Sequence, residues 1–197
     1  MAGRPRILIC AFGPFPGVPV NPSERLGRTL AHMRRPALAG CDLALEILPT
    51  RWAALGLLER HLDRHAPDAV LLLGVAPRRR ALCVETRAVN VAADRPDAAR
   101  RHPAGRRLEA KAPPVLRTTA RVPALLAAAR GAGVPVRPSR DAGRYLCNAS
   151  YLTALARAQG RPVVFVHIPG RLPARRTALP RALSALLVAL GSQARRR

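Results

Sequence analysis

The segment AVLLL at residues 69–73 decides the fold class, because it is the clearest buried strand in the chain. Successive apolar residues without polar alternation are typical of a strand covered on both faces, as in a parallel sheet. Before it, residues 52–65 place leucines along one stripe of an amphipathic helix, and residues 43–48 alternate as a strand. This succession of strand, helix and strand predicts an α/β protein.

The same alternation continues through the rest of the chain. Strands are expected at residues 6–12, 81–91, 134–136 and 163–167, and helices after an N-cap at Ser23 and at 122–130, 146–159 and 179–190. A turn is expected at 137–139 and a long surface loop at 92–114. We therefore expect a three-layer α/β/α sandwich around a largely parallel mixed sheet, with one domain over 1–191 and a basic, disordered tail at 192–197.

The charge of the chain is extreme, since 34 Lys and Arg against 11 Asp and Glu give a formal net charge of +23. Attraction to polyanions follows from such a charge at moderate salt. A dedicated nucleic-acid site usually adds a basic face or stacking aromatic side chains. Here aromatic residues make up 3% of the chain and the arginines are scattered. We therefore expect the arginines to reflect a GC-rich genome and nucleic acid to bind at most non-specifically.

Hydropathy and cysteine spacing bear on location. The chain has no apolar run near the roughly 18 residues that a membrane-spanning helix needs, and no signal-peptide pattern. Its four cysteines, Cys10, Cys41, Cys83 and Cys147, are far apart and lack the paired spacing of a zinc site. We expect reduced thiols, a cytoplasmic protein and no membrane partner.

Cys147 lies where a helix is predicted to begin, after the turn-forming residues and the flexible Gly143. In the first turn of a helix, unpaired N–H groups and the positive end of the dipole favour thiolate over thiol. A cysteine placed in this way can serve as a nucleophile. An apolar cysteine packed in the core is the other interpretation, and position alone leaves both open.

Two further polar residues interrupt or end apolar strands. Glu85 needs a partner because a desolvated lone carboxylate costs several kcal/mol, and that partner is either Arg87 or a histidine that Glu85 orients. His167 ends a buried strand, where catalytic side chains often lie, although a core histidine bonded to a backbone carbonyl is the alternative. His61 and His65 have the spacing of a metal pair, but we expect them to be solvated and predict no metal site.

Several separated segments, taken together, resemble the pyroglutamyl peptidase I family of cytosolic cysteine peptidases. They are residues 12–15 with 21–23, residues 71–76, residues 85–90, the Ala-Gly-x-Tyr-x-Cys-Asn segment at 142–148, and residues 166–169. The resemblance implies the family's α/β/α fold and removal of an N-terminal pyroglutamyl residue from peptides. It implies no metal or organic cofactor and a tetrameric assembly, as is common in bacterial members.

The resemblance also assigns site residues. It makes Cys147 the nucleophile, His167 its base and Glu85 the residue that orients the histidine. It maps the pyroglutamate pocket onto Phe12, Phe15, Thr50, Tyr145 and Leu146, with Arg95 in a loop that approaches the site.

The chain also departs from the family pattern. Arg144 replaces the usual Thr, and residues 96–99 are Pro-Asp-Ala-Ala rather than Ile-Pro-Asp-Asn. The rival hypothesis is a catalytically idle peptidase-like protein that uses its charge to bind nucleic acid or another polyanion.

Overall fold

A computed structural model describes residues 3–15, 17–170 and 178–195. Its strands are β1 (Arg6–Phe12), β2 (Asp42–Leu48), β3 (Ala69–Ala76), β4 (Leu82–Glu85), β5 (Arg87–Val89), β6 (Val115–Arg117), β7 (Val136–Ser139) and β8 (Val163–Pro169). Its α-helices are α1 (Pro22–Ala31), α2 (Ala54–His65), α3 (Val122–Arg130), α4 (Leu146–Ala156) and α5 (Ala178–Ala194), with a short 3-10 helix at Pro36–Leu38.

Six strands form one mixed sheet in the order β2-β1-β3-β8-β4-β7. The first four are parallel, whereas β4 runs antiparallel to β8 and parallel to β7. Helices α1, α3 and α5 cover one face, and α2 and α4 cover the other. This confirms the α/β fold with helices around a largely parallel sheet. In the described part of the chain, no helix is long and apolar enough to cross a membrane.

The core explains why the central strands are apolar throughout. Ile7 and Ile9 of β1 pack under the first helix layer, and the alternate residues Leu8 and Cys10 pack under the second. The side-chain period of two residues gives each strand two buried faces, so neither face can be polar. The continuous apolar runs of β1, β3 and β8 follow from this arrangement.

Several predicted boundaries are wrong for identifiable reasons. The predicted turn at 137–139 is part of β7, where Val84 pairs with Pro138. Proline is tolerated here because β7 is an edge strand and needs donors on one side only. The predicted strand at 81–91 is divided at Thr86, whose N–H donates to the carbonyl of Ser139 at 2.7 Å. Strand β6, unpredicted, lies just beyond the expected surface loop and pairs with β5.

The start of the first helix and the end of the last helix also differ from expectation. Asn21, not Ser23, caps α1: its side-chain oxygen accepts the Ser23 N–H at 3.0 Å. Its amide nitrogen donates to the carbonyl of Gly13 at 2.9 Å, which ties the helix to the loop after β1. At the other end, α5 continues to Ala194, so the tail predicted at 192–197 begins inside a helix; residues 196 and 197 lie outside the described residues.

The first prediction concerns this cap. Asn21→Ala removes a buried N-cap and the shorter of the two hydrogen bonds to the Gly13 carbonyl, so it should lower the free energy of unfolding by about 1–3 kcal/mol. Thr29→Ala, on an exposed turn of the same helix, should change it by less than about 0.5 kcal/mol. Urea unfolding measures both values. Equal effects in the two variants would show that Asn21 does not anchor the loop.

Candidate active site

The candidate catalytic residues lie on the sheet face that α4 covers. In the parallel register Gly74 of β3 pairs with His167 of β8, and in the antiparallel register Glu85 of β4 pairs with Phe165. The period of two residues places Gly74, Glu85 and His167 on one face, although they come from three different strands. Residues far apart in the chain are therefore brought together by strand pairing.

Glu85 and His167 form a buried hydrogen-bonded pair. Oε1 of Glu85 lies 2.7 Å from Nδ1 of His167, and the two residues are 0% and 4% exposed. Arg87, the alternative partner, instead donates from Nε to the carbonyl of Arg140. The pair fixes the plane of the imidazole ring, and a proton on Nδ1 leaves Nε2 as the free nitrogen.

Arg79 is a second partner of the buried carboxylate, at 2.5 Å from Nη1 to Oε1 of Glu85. Its Nη2 donates to the backbone carbonyl of Asp141, ahead of α4. Arg79 thereby links β4 to the segment that leads to Cys147. The family resemblance matches Arg79, and not Arg78, to an arginine of the family pattern, but it assigned Arg79 no role at the site.

Cys147 lies in the first turn of α4, as predicted. A Cβ on Gly74 would lie 2.8 Å from Sγ of Cys147 and 2.7 Å from Cζ of Phe165, both well inside van der Waals contact. The thiol therefore fits over β3 beside His167 because residue 74 has no side chain. Gly74 is a site residue to which the sequence analysis assigned no role.

The start of α4 also presents free backbone donors. The first helical hydrogen bond runs from the N–H of Ala149 to the carbonyl of Tyr145, at 2.9 Å. Within the described residues, the N–H groups of Leu146 and Asn148 have no acceptor, and the N–H of Cys147 interacts only with its own sulfur. Such groups can bind an anion that forms next to the thiol.

The position of Cys147 at a helix start does not make it a thiolate in the protein without substrate. Burial, with a further contribution from the Glu85 carboxylate, raises the pKa of Cys147 to about 12, while Arg79 acts in the opposite direction. The favourable field of a helix start is smaller than the cost of burying a charge. The resting thiol is therefore protonated at neutral pH.

Asn148 connects the nucleophile helix to β5. Its Oδ1 accepts the N–H of Val89 at 2.8 Å, and its Nδ2 donates to the carbonyls of Val89 and Val91 at 2.8 and 3.3 Å. This fully buried amide has all its hydrogen bonds within one neighbouring segment. The residue after the predicted nucleophile thus sets the position of α4, a role that the sequence analysis did not assign.

Tyr145 and Arg95, two predicted pocket residues, lie together. The guanidinium carbon of Arg95 is 4.8 Å from the centre of the Tyr145 ring, a cation–π contact. Trp52 packs edge-on against the same ring at 5.3 Å, and its Nε1 donates to the carbonyl of Arg95 at 3.1 Å. Trp52, to which the sequence analysis assigned no role, packs against this part of the site and holds Tyr145 and Arg95 in place.

The loop that departs from the family pattern is firmly held by Asp97. Its carboxylate accepts the N–H groups of Trp52 at 2.9 Å, Ala99 at 2.7 Å and Arg101 at 3.0 Å. Although burial alone raises the pKa of Asp97, these backbone donors outweigh it and the pKa is lowered. The hydroxyl of Tyr145 donates to the carbonyl of Pro96 at 3.0 Å, so the loop is also tied to the nucleophile segment.

The other predicted pocket residues differ in what they present. Phe12 ends β1 and is 5% exposed, whereas Phe15 is 38% exposed and pairs with Val18 across a short turn. Thr50 donates from Oγ1 to the carbonyl of Gly13, between the two phenylalanines, at 3.3 Å. The side chain of Leu146 is buried in the core, so this residue offers the site only its backbone.

The prediction that His61 and His65 are solvated is wrong. Both approach Oε1 of Glu46, His61 from Nδ1 at 3.3 Å and His65 from Nε2 at 2.6 Å, where α2 packs on β2. The three side chains present ligand atoms within 4.8 Å of one another. Arg64 already pairs with the same carboxylate oxygen, so the cluster has its cation and we assign it no metal.

The second prediction concerns the reactivity of the four thiols. Cys147 is partly exposed and the other three cysteines are buried, so iodoacetamide should label Cys147 first. Because its pKa is near 12, labelling should accelerate about tenfold per pH unit from pH 7 to 10. Peptide mass spectrometry across this range measures the rate, with Cys147→Ser as the blank. A rate that levels off below about pH 8 would contradict a protonated resting thiol.

Comparisons with known proteins agree with this geometry. The family model described as pyroglutamyl peptidase matches residues 5–179. A pyrrolidone-carboxylate peptidase of Gloeobacter violaceus is 37% identical over 169 residues, covering 83% of this chain and 81% of the relative. Pyrrolidone-carboxylate peptidase 1 of Ralstonia nicotianae is 34% identical over 185 residues, covering 89% and 83%.

Solved structures show the same fold. A mutant pyrrolidone carboxyl peptidase of Pyrococcus furiosus superimposes with a TM-score of 0.80 at 26% identity, over 93% of this chain and 95% of that one. Pyroglutamyl peptidase I of Bacillus amyloliquefaciens gives a TM-score of 0.83 at 23% identity, over 95% and 97%. With a family match over most of its length and relatives above 30% identity, the chain belongs to the pyroglutamyl peptidase family and is a cysteine peptidase.

Proposed function

We propose that this protein removes an N-terminal pyroglutamyl residue from peptides, with Cys147 as nucleophile, His167 as base and acid, and Glu85 as the orienting carboxylate. The observation that carries the proposal is the buried Glu85–His167 pair at 2.7 Å beside a thiol that lies over Gly74. A nucleophile, a base and a group that orients the base are the parts that covalent acyl transfer requires.

The first half of the reaction forms an acyl-enzyme. Because the resting thiol is protonated, Nε2 of His167 takes the thiol proton as sulfur attacks the pyroglutamyl carbonyl carbon. Glu85 stabilises the imidazolium that results. The imidazolium then gives the proton to the peptide nitrogen, the C–N bond breaks and the shortened peptide leaves as an amine.

The second half restores the enzyme. Nε2 of His167 takes a proton from water, the oxygen attacks the thioester, and the C–S bond breaks to release pyroglutamate and the thiol. In both halves the carbonyl oxygen becomes negative. The free N–H groups at the start of α4 are placed beside the reacting sulfur and are the donors that we assign to this oxyanion.

The pocket assignment rests on the uncharged character of the substrate. A pyroglutamyl group is a flat, neutral lactam, whereas other N-terminal residues carry an ammonium group. Phe12, Phe15, Thr50 and Tyr145 offer aromatic faces and hydroxyls. The nearby carboxylates are already engaged: Asp97 accepts from three backbone donors, and Glu24, close to Gly13, pairs with Arg28 at 2.8 Å. An ammonium group would therefore lose hydration without a partner.

The polyanion-binding alternative is not favoured, because Glu85, Cys147 and His167 are all present in a site arranged for chemistry. The tetrameric assembly and the cytoplasmic location stay predictions from the family resemblance.

The third prediction tests substrate choice with three peptides that differ only in the first residue: pyroglutamyl, glutaminyl and glutamyl. Burying an unpaired ammonium costs several kcal/mol, so kcat/KM should be at least about 10³-fold higher for the pyroglutamyl peptide. Cys147→Ser should lose all turnover and keep its fold by circular dichroism. Comparable kcat/KM values for pyroglutamyl and glutaminyl peptides would contradict a lactam pocket.

A further inference from the structure

The order of the strands in the sheet defines two sides of Cys147, one toward β1 and β2 and the other toward β4 and β7. Sγ of Cys147 lies over Gly74 in β3, the third strand in the order β2-β1-β3-β8-β4-β7. Of the residues proposed to hold the pyroglutamyl ring, Phe12 ends β1 and Thr50 follows β2, on one side of β3. With the ring on that side, the rest of the peptide leaves the site in the opposite direction, toward β4 and β7.

A cavity of about 560 Å³ lies in that direction. Its charged lining comes from three places in the fold: Arg87 begins β5, Arg140 follows β7, and Arg144 stands three residues before the nucleophile. Asn148, the neighbour of Cys147 in α4, forms part of the same wall. The cavity therefore lies beside the start of the helix that carries the thiol.

The charge of this cavity is strongly positive. Asp141 is the one carboxylate in its lining, and its Oδ1 accepts the N–H of Gly143 at 2.9 Å. Across the described ranges, Arg87, Arg140 and Arg144 form no ion pair with a carboxylate. Arg87 is fixed by its bond to the carbonyl of Arg140 at 2.8 Å, while Arg140 and Arg144 are exposed. Three arginines and one carboxylate thus line this cavity, and Arg144 also lines the neighbouring cavity that contains Asp94.

We infer that this cavity binds a carboxylate of the peptide downstream of the scissile bond, so that acidic pyroglutamyl peptides are the preferred substrates. Guanidinium groups pair with carboxylates through two parallel hydrogen bonds, which makes arginine suited to this recognition. The carboxylate is supplied either by an Asp or Glu side chain or by the C-terminus of a short peptide. The inference rests on the proposed function, since it names the substrate class of the same site.

The experiment measures kcat/KM for four peptides at low ionic strength. Pyroglutamyl-Glu-Ala-amide, pyroglutamyl-Gln-Ala-amide and pyroglutamyl-Lys-Ala-amide vary the side chain, and pyroglutamyl-Gln-Ala with a free C-terminus supplies the other carboxylate. We expect at least one carboxylate peptide to exceed the neutral amide about five- to tenfold, with the lysyl peptide lowest, and the difference to shrink as salt screens the charges. Which carboxylate peptide gains identifies the source of the group.

Arg144→Gln should remove most of this preference. The substitution keeps the backbone contact at this position, since the carbonyl of residue 144, and not its side chain, accepts the Ala93 N–H. Arg34→Gln is the matched control, because it lowers the net charge by the same amount. Arg34 lines a different cavity, formed by residues between 31 and 43. Both variants should cleave neutral pyroglutamyl-coumarin at the wild-type rate.

Three outcomes would overturn the inference. Equal kcat/KM values for all four peptides would overturn the inference. The proposed function would stay intact in that case, provided that pyroglutamyl-coumarin is cleaved. The same loss of preference in Arg34→Gln would show a diffuse effect of net charge rather than a cavity. Failure to cleave any pyroglutamyl substrate would overturn the proposed function and the inference together.

Discussion

The hydrogen bond between Glu85 and His167 is the constraint on which the site depends. A carboxylate that is 0% exposed in an apolar strand is stable only if its charge is met by partners. Antiparallel pairing of β4 with β8 supplies His167, and Arg79 reaches in from the loop before β4. Both donors use Oε1, while Oε2 receives no hydrogen bond from the described residues. Loss of either donor would therefore leave a poorly compensated buried charge.

The remaining parts of the site are arranged around this pair. Gly74 leaves the space in which the Cys147 thiol lies, and Asn148 fixes the start of α4 against β5. The pair beneath the thiol is itself buried, with Glu85 0% and His167 4% exposed. In the mechanism that we propose, the thiol gives up its proton to His167 during the reaction and is not ionised beforehand. The reactive form then arises only in the presence of substrate.

Much of the fold could be predicted from the sequence because its strands are buried on both faces. Runs such as residues 69–73 have one physical explanation, and the strands they predict are present. Segments at the sheet edge were harder: Pro138 suggests a turn, and only its edge position allows it to sit in β7. Strand β6 has three residues and exists because β5 lies beside it, which no local pattern reveals.

The candidate site likewise contains residues that could be predicted from the sequence and residues that could not. Glu85, Cys147 and His167 could be named from motifs, and the structure brings them to one face of the sheet. The role of Arg79 could not be predicted, because its inward direction depends on Glu85 and Asp141. The raised pKa of Cys147 depends on burial and on a carboxylate 62 positions earlier in the chain, so a helix start alone could not predict it.

The role of the buried carboxylate is tested by the turnover of Glu85→Gln on a pyroglutamyl peptide, measured beside Glu59→Gln at the partly exposed pair with Arg157. The glutamine keeps the shape of the side chain but cannot stabilise an imidazolium. We expect kcat to fall by roughly 10²- to 10⁴-fold while KM changes little, and Glu59→Gln to behave as wild type. A Glu85→Gln enzyme with kcat within threefold of wild type would contradict that role, because the buried carboxylate would then serve the fold and not the reaction.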